Sequence, residues 1–332
     1  MSLSQPLTDW LLDTDPALRW QVERDLLHEP EEVWRSTRAR VVREGFGARL
    51  LSLQDEDGQW AGGAFFPTRR DPRAEVGDVN VGQPWVATTP TLSLLRQWGA
   101  DPEALGDTAE KLRANSRWEY DDLPYWDGEV DVCINAETLA TGTWLGTDVS
   151  GLARWFLEHE AAEGGWNCEW VEGSTRASIH STLNGAVGLL YREMHGGDAV
   201  SAQERELLAG ARHRAEEYLR ARHLLRRLST GEPVIDEAAE FGYPFRWHYD
   251  ILRALDHFRL ASAHDGRVPD PRLAEAVEIV RGLRQADGSW LQQVHHEGQE
   301  WFAVDVPVGM PSPWLTLVGT RVLDWWDGRK VA

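Results

Sequence analysis

The sequence predicts an all-α protein in which apolar helices alternate with polar ones. Three observations carry this reading. Long segments place apolar residues at i, i+3, i+4 and i+7, and few segments alternate with period two. Apolar segments rich in small residues, at 86–99, 133–146, 179–194, 247–263 and 314–326, are separated by polar helical segments at 102–115, 149–160, 202–222 and 271–284. A Gly-x-Trp turn recurs at the ends of amphipathic helices. With 16–27 as a further apolar helix, the count comes close to six helical hairpins. Such an alternation is buried when the inner helices form a ring inside a ring of outer ones.

In chain order, 7–12 is a short helix and Asp15-Pro16 starts the next, with Asp as cap and Pro at the first helical position. Glu29-Pro30 restarts the chain into a helix expected to run to about residue 54, with a break near Gly45-Phe46-Gly47. Then comes Gln54-Asp-Glu-Asp57-Gly58-Gln-Trp60. Glu160-Ala-Ala-Glu163-Gly164-Gly-Trp166 has the same spacing, and Gln285-Ala-Asp287-Gly288-Ser-Trp290 repeats it with one residue fewer. A fixed motif after each hairpin is the mark of a repeat: Gly ends a helix and Trp lays a flat face over the next unit. No Gly/Ser or Pro linker divides the chain, so 1–332 is read as one domain. Residues 1–14 are its N-terminal helix packed on the barrel, and 63–84 is an irregular loop.

Composition narrows the function. Hydrophobic residues make up 42% of 332, enough for a sizeable core, and 18 tryptophans in so acidic a chain belong in a core or a pocket lining. A net charge of -20 disfavours nucleic acid and anionic membranes as partners. No apolar run approaches ~18 residues, so no transmembrane segment is expected. The opening Met1-Ser-Leu-Ser-Gln-Pro6 does not read as a leader, and two cysteines do not make a disulfide framework. A reduced, cytoplasmic protein with metal-binding or buried thiols is expected. There is no nucleophile elbow, phosphate loop or dinucleotide fingerprint.

The Gln-x-x-Asp-Gly-x-Trp turns, the alternating hairpins and the tryptophan content resemble the α/α-toroid superfamily of terpenoid (squalene-type) cyclases and protein prenyltransferase β-subunits, over most of the chain from Pro16 onward. The resemblance implies an (α/α)6 barrel with a deep central cavity, entered where the inner helices begin. The acid motifs of both cyclase classes are missing: neither Glu119-Tyr-Asp121-Asp122 nor Asp121-Asp122-Leu-Pro-Tyr-Trp-Asp127 matches them. The prenyltransferase branch carries zinc on Asp-x-Cys at one inner-helix start and a His at a later one. Asp131-Val-Cys133 and His180-Ser-Thr182 are similar to those places, so the resemblance implies Asp131, Cys133 and His180 as ligands.

Cys168, in Gly165-Trp166-Asn167-Cys168-Glu169, is a further metal candidate that competes with Asp131, which also reads as a helix cap. His248, in Phe245-Arg246-Trp247-His248-Tyr249-Asp250, is expected to open the next inner helix. There it is either a fourth ligand, closing a structural site, or the acid/base residue with Asp250 as neighbour. His295-His296 is read as a solvated loop, and Arg220 to Arg227 as a solvated outer face. Trp85, Trp126, Trp170, Tyr243, Arg246, Trp247, Tyr249 and Trp314 are the candidate substrate-binding residues near inner-helix starts. The expectation is a zinc-dependent enzyme of prenyltransferase or cyclase kind, acting on a small apolar or isoprenoid-like molecule in an aromatic cavity. The zinc-bearing lanthionine cyclases, another α/α toroid, serve as analogy. The alternative is a lipid- or terpenoid-binding protein with a structural metal or none.

Overall fold

The computed structural model describes residues 3–68, 71–78 and 82–328. Among these the chain is mostly helical, with thirteen α-helices and one two-stranded pair. The helices are α1 (Gln5–Leu12), α2 (Pro16–Asp25), α3 (Glu31–Arg38), α4 (Gly45–Ser52), α5 (Thr88–Gln97), α6 (Thr108–Asn115), α7 (Val132–Trp144), α8 (Ser150–Glu158), α9 (Ile179–His195), α10 (Ala202–Ala221), α11 (Ile251–Asp265), α12 (Ala274–Gly282) and α13 (Pro313–Trp326). Strands β1 (Trp290–Leu291) and β2 (Pro311–Ser312) pair antiparallel, an element the helical periodicity hid. No described helix is long and apolar enough to cross a membrane.

Local chemistry explains where the helices start. Asp15 Oδ1 accepts the Ala17 N–H at 2.9 Å, with Pro16 in the first turn. Its other oxygen accepts the Phe46 N–H at 2.8 Å, so one carboxylate caps α2 and anchors the start of α4. That anchor lies at the break expected near Gly45, and the single helix expected from 29 to 54 is the separate α3 and α4. Ser178, Ser201, Asp250 and Ser312 cap α9, α10, α11 and α13 through their side chains. α11 begins at Ile251, four residues later than the expected 247, because Asp250 fixes its N-terminus. Trp247 and His248 therefore stand in the preceding loop.

The three tryptophan turns are the same object. Asp55, Ala161 and Gln285 each donate a backbone N–H to the carbonyl four residues on, at 2.8 Å. Gly58, Gly164 and Gly288 donate back to those same residues, at φ of +90°, +86° and +95°, a backbone region that favours glycine. The third copy is not one residue short: Gln285 aligns with Asp55 rather than with Gln54. Each indole N–H donates to the carbonyl ten residues earlier, on Leu50, Phe156 and Val280, at 2.8–2.9 Å. Each tryptophan backbone N–H donates to a threonine hydroxyl on the following apolar helix, Thr88, Thr182 or Thr316, at 3.1–3.2 Å. One residue thus ties a helix end to the helix after the turn, and all three indoles are fully buried.

The apolar helices meet in sequence. α7 packs between α5 and α9, α9 meets α11, α11 meets α13, and α13 meets α2. Trp20 Nε1 on α2 donates to the Trp98 carbonyl at the end of α5, at 2.8 Å. α7 and α9 approach closely because Gly188 faces Ala136, where an added Cβ would lie 2.8 Å from the Ala136 carbonyl oxygen. Of the expected loop 63–84, residues 69–70 and 79–81 lie outside the described residues, as do 1–2 and 329–332 at the ends. The described part of the loop is pinned: Glu119 accepts the N–H groups of Phe65 and Phe66, and Val76 bridges Glu300.

Charge is buried on the far side of α9. Arg212 is 0% exposed and donates to Glu193, Glu216 and Asp265. Burial alone would raise the Glu216 carboxyl, but the His257 hydrogen bond and charge and the Arg212 charge hold it at about 2. Asp265 is likewise held at about 2, where Arg212 and His213 outweigh burial. The Arg220–Arg227 run spends its charge on neighbouring carboxylates, including Glu216, Glu163 and Glu275.

Trp166→Ala is expected to cost about 3–5 kcal/mol in urea unfolding, through lost packing and a cavity. Trp166→Phe is expected to cost less, on the order of 1–3 kcal/mol, by leaving the Phe156 carbonyl unpaired. Arg212→Met is expected to cost about 3–5 kcal/mol near neutral pH because it strands buried carboxylates. Glu216 and Asp265 bind fewer protons folded than unfolded, so their contribution is present above about pH 4 and lost as pH falls towards 2. The gap between wild type and Arg212→Met should therefore narrow in acid.

Candidate functional site

The site begins where α7 and α9 start. Glu129 and Asn135 shape the turn into α7: Asn135 accepts the Glu129 N–H at 2.7 Å and donates to its carbonyl at 2.6 Å. Asp131 occupies the cap position of α7, yet its side chain makes no capping hydrogen bond. Its carboxyl, raised by burial and lowered by a hydrogen bond with Cys168, lies beside that thiol instead. Cys133 sits in the first turn of α7 and is buried, while Cys168 opens a short 3-10 turn and is half-buried.

The two sulfurs lie 3.6 Å apart. Ser181 Oγ accepts the Cys168 N–H at 3.1 Å and donates to Cys168 Sγ at 3.3 Å. Asn184 Nδ2 donates to Cys133 Sγ at 3.4 Å. The Cys133 contact and the Ser181 hydroxyl stabilise Cys168 as the thiolate, against its burial. Cys133 is pushed the other way by Cys168 and by burial, so the pair favours one thiolate and one thiol. The start of α7 adds a partial positive charge near both sulfurs.

His180 stands on α9 beside this pair and lines the same cavity. Its Nδ1 accepts the Tyr249 backbone N–H at 3.1 Å. A neutral imidazole with Nδ1 as acceptor carries its proton on Nε2. Burial, with the Arg253 charge behind it, lowers the His180 pKa and keeps the ring neutral. With its proton on Nε2, the ring has an N–H donor there rather than a free lone pair.

His248 is not among the residues that line the cavity beside the thiols. Its ring stacks on Trp247 at 4.0 Å and on His296 at 3.7 Å, nearly parallel to both. Burial and the positive charges around it lower His248 to about 4, and His296 falls to about 3. His296, expected in a solvated loop, is half of this stacked pair, while His295 is exposed. Asp250 accepts the Arg253 backbone N–H at 2.7 Å as the cap of α11, and burial pushes it up to about 7. Among the described residues no hydrogen bond joins Asp250 to the His248 ring, so the acid/base pair expected from their spacing is not assembled.

The described donors form no closed four-ligand cage. No three of Asp131, Cys133, Cys168, His180 and His248 bring their ligand atoms within 4.8 Å of one another. The described group that does is His213, Glu216 and Asp265, where the Arg212 guanidinium already bonds both carboxylates. The thiol pair still fits a metal in one respect. Two thiolates about 2.3 Å from a tetrahedral zinc lie roughly 3.7–3.8 Å apart, close to the separation seen here.

Two cavities that share lining residues adjoin the thiols. An outer cavity of about 390 Å³ is lined by Phe66, Asp131, Cys133, Cys168, His180 and Trp247, among others. An inner one of about 40 Å³ is lined by Trp85, Leu94, Glu137, Arg246 and Trp247, and shares Cys133, Ile134 and Phe65 with the outer. Of the expected substrate-binding residues, Trp85, Arg246 and Trp247 line these spaces. The others are committed elsewhere, because a buried indole or phenol needs a partner for its polar atom. Trp126 donates to the Ala109 carbonyl, Trp170 to Val130, Trp314 to Val304 and Tyr249 to Leu224. Tyr243 accepts from Trp98 and stacks on Trp314 at 4.3 Å.

Sequence reasoning missed Ser181, Asn184, Phe65 and Arg253. His180 and Asn184 are one helical turn apart, a signal that was readable. Phe65 was hidden in a loop without periodicity, and Arg253 Nη2 reaches Asn184 Oδ1 at 2.6 Å from another helix.

Burial and hydrogen bonding set the two thiols apart chemically. Iodoacetamide at neutral pH is expected to modify Cys168 at least ~10-fold faster than Cys133, read by peptide mass spectrometry. Equal rates would contradict the assigned asymmetry.

No family model, no curated protein and no solved structure matches the chain.

Proposed function

We propose that this chain is an (α/α)6 toroid and that it is a zinc-dependent enzyme acting on an apolar substrate of isoprenoid kind. The succession of helix contacts, the Trp20–Trp98 link and three superimposable tryptophan turns support the ring. The observation that carries the chemistry is the pair of sulfurs 3.6 Å apart at the wall of an aromatic cavity. Cys133 and Cys168 would hold the metal, with Asp131, which makes no helix-capping bond and is hydrogen-bonded to Cys168, as the third donor. Zinc in such a site supplies Lewis acidity and makes a thiol, hydroxyl or water nucleophilic at neutral pH.

The chain's own residues do the rest. Ser181 and Asn184 donate to the sulfurs and favour their thiolate forms. His180 presents its Nε2–H to the substrate, oriented by the Tyr249 backbone. Trp247, Phe65 and Ile134 bind the apolar body and exclude water around it. A dithiol left unbridged suits a reducing compartment such as the cytoplasm.

A second reading is a lipid- or terpenoid-binding protein without catalysis. It is favoured by the absence of a closed donor set among the described residues. Zinc content separates the two. Purified protein is expected to carry one zinc per chain by elemental analysis. Cys133→Ser with Cys168→Ser should abolish it, and Asp131→Asn should weaken zinc affinity about 10–100-fold. Protein without stoichiometric zinc, whose double variant is as stable as wild type, would leave the binding reading standing.

A further inference from the structure

Arg246 lies on the loop before α11 with φ +53°, a left-handed conformation that strains a non-glycine residue. Its side chain is 6% exposed and lines the inner cavity, with the guanidinium 4.8 Å from the centre of the Trp85 ring. Nη2 donates to Glu300 Oε1 at 2.6 Å. Nε and Nη1, although buried, have no partner in the protein. A buried donor left without an acceptor is unfavourable, so the fold holds open a place for one.

The size and charge of the space define that acceptor. The inner cavity of about 40 Å³ has room for on the order of three water-sized groups, enough for a head group but not for a body. The body would have to lie in the outer cavity, past Cys133 and Trp247, which line both spaces. A second buried cation, Arg253, stands behind the wall and spends its guanidinium hydrogen bonds on uncharged acceptors, the His248 carbonyl and Asn184 Oδ1. The carboxylate lining the inner cavity, Glu137, is already paired with Arg96 at 2.7 Å. The local balance therefore favours an anionic head within a strongly acidic protein.

We infer that the cavity takes a monocarboxylate with an apolar body, its carboxylate seated on Arg246 and its tail in the outer cavity beside the thiols. The inference rests on reading the cavity as the substrate site and not on the metal.

The test uses octanoate, octan-1-ol and octylamine as probes, titrated by calorimetry against the protein as purified and after zinc removal. Octanoate is expected to bind one per chain in both states, at least ~10-fold tighter than octanol, with octylamine weaker still. Glu300→Gln frees Arg246 from its competing carboxylate and should tighten octanoate several-fold. Arg246→Gln should weaken octanoate at least ~10-fold and leave octanol binding in place. If Arg246→Gln fails to fold by thermal unfolding, the direction of the Glu300→Gln effect decides. Equal affinities for the three probes, no octanoate binding, or no tightening in Glu300→Gln would each overturn the inference. None of these outcomes bears on zinc stoichiometry.

Discussion

The tryptophan clamp is the constraint on which the rest depends. In each copy a left-handed glycine turns the chain, an indole N–H closes on a carbonyl ten residues back, and a threonine hydroxyl takes the tryptophan backbone N–H. Each hydrogen bond contributes only ~1 kcal/mol net, but leaving either group unpaired in the core costs more. The clamp therefore acts as a fixed spacer between the end of one helix and the start of another. Thr182, which receives Trp166, is two residues from His180 and one from Ser181. The same contact that orders the repeat sets the position of the thiol-binding residues.

That coupling explains why the site gathers where it does. Cys168 lies two residues beyond Trp166, and its backbone and sulfur both bond Ser181 on the helix that Trp166 clamps. Cys133 comes from the neighbouring helix α7, which packs against α9 at the Gly188 contact. The thiols meet because Ser181 on α9 holds the turn that carries Cys168, while α7, which carries Cys133, packs closely on α9 where Gly188 has no side chain. The buried charges follow a different logic. Arg212 is surrounded by carboxylates and is satisfied, whereas Arg246 keeps a single carboxylate and two idle donors. A satisfied network rigidifies, and an unsatisfied buried group marks a place where something else belongs.

The histidines show how far spacing alone can mislead. Two imidazoles expected near helix starts, His180 and His248, suggested ligands, but tertiary contacts gave each a different fate. His180 accepts a backbone N–H from the loop before α11, His248 stacks on His296, and the position expected to open a helix falls in a loop because Asp250 caps later. The aromatic residues behave alike. Trp126, Trp170, Trp314 and Tyr249 sit at the sequence positions of a cavity lining, yet each must satisfy a polar atom and does so on a backbone carbonyl.

The sequence by itself determined the helical class, the alternation of apolar and polar helices and the recurring turn, and it singled out Asp131, Cys133, Cys168 and His180, which line one cavity. These are local properties: periodicity, glycine conformation, capping chemistry and spacing along a repeat. Only the tertiary structure decided which atoms face the cavity. The His180 tautomer, the Asn184 and Ser181 donors to sulfur, the placement of Phe65 and the idle donors of Arg246 depend on partners far away in sequence. Spacing can place a side chain on a wall. What that side chain offers is set by the neighbours that consume its other hydrogen bonds, and those neighbours are chosen by packing.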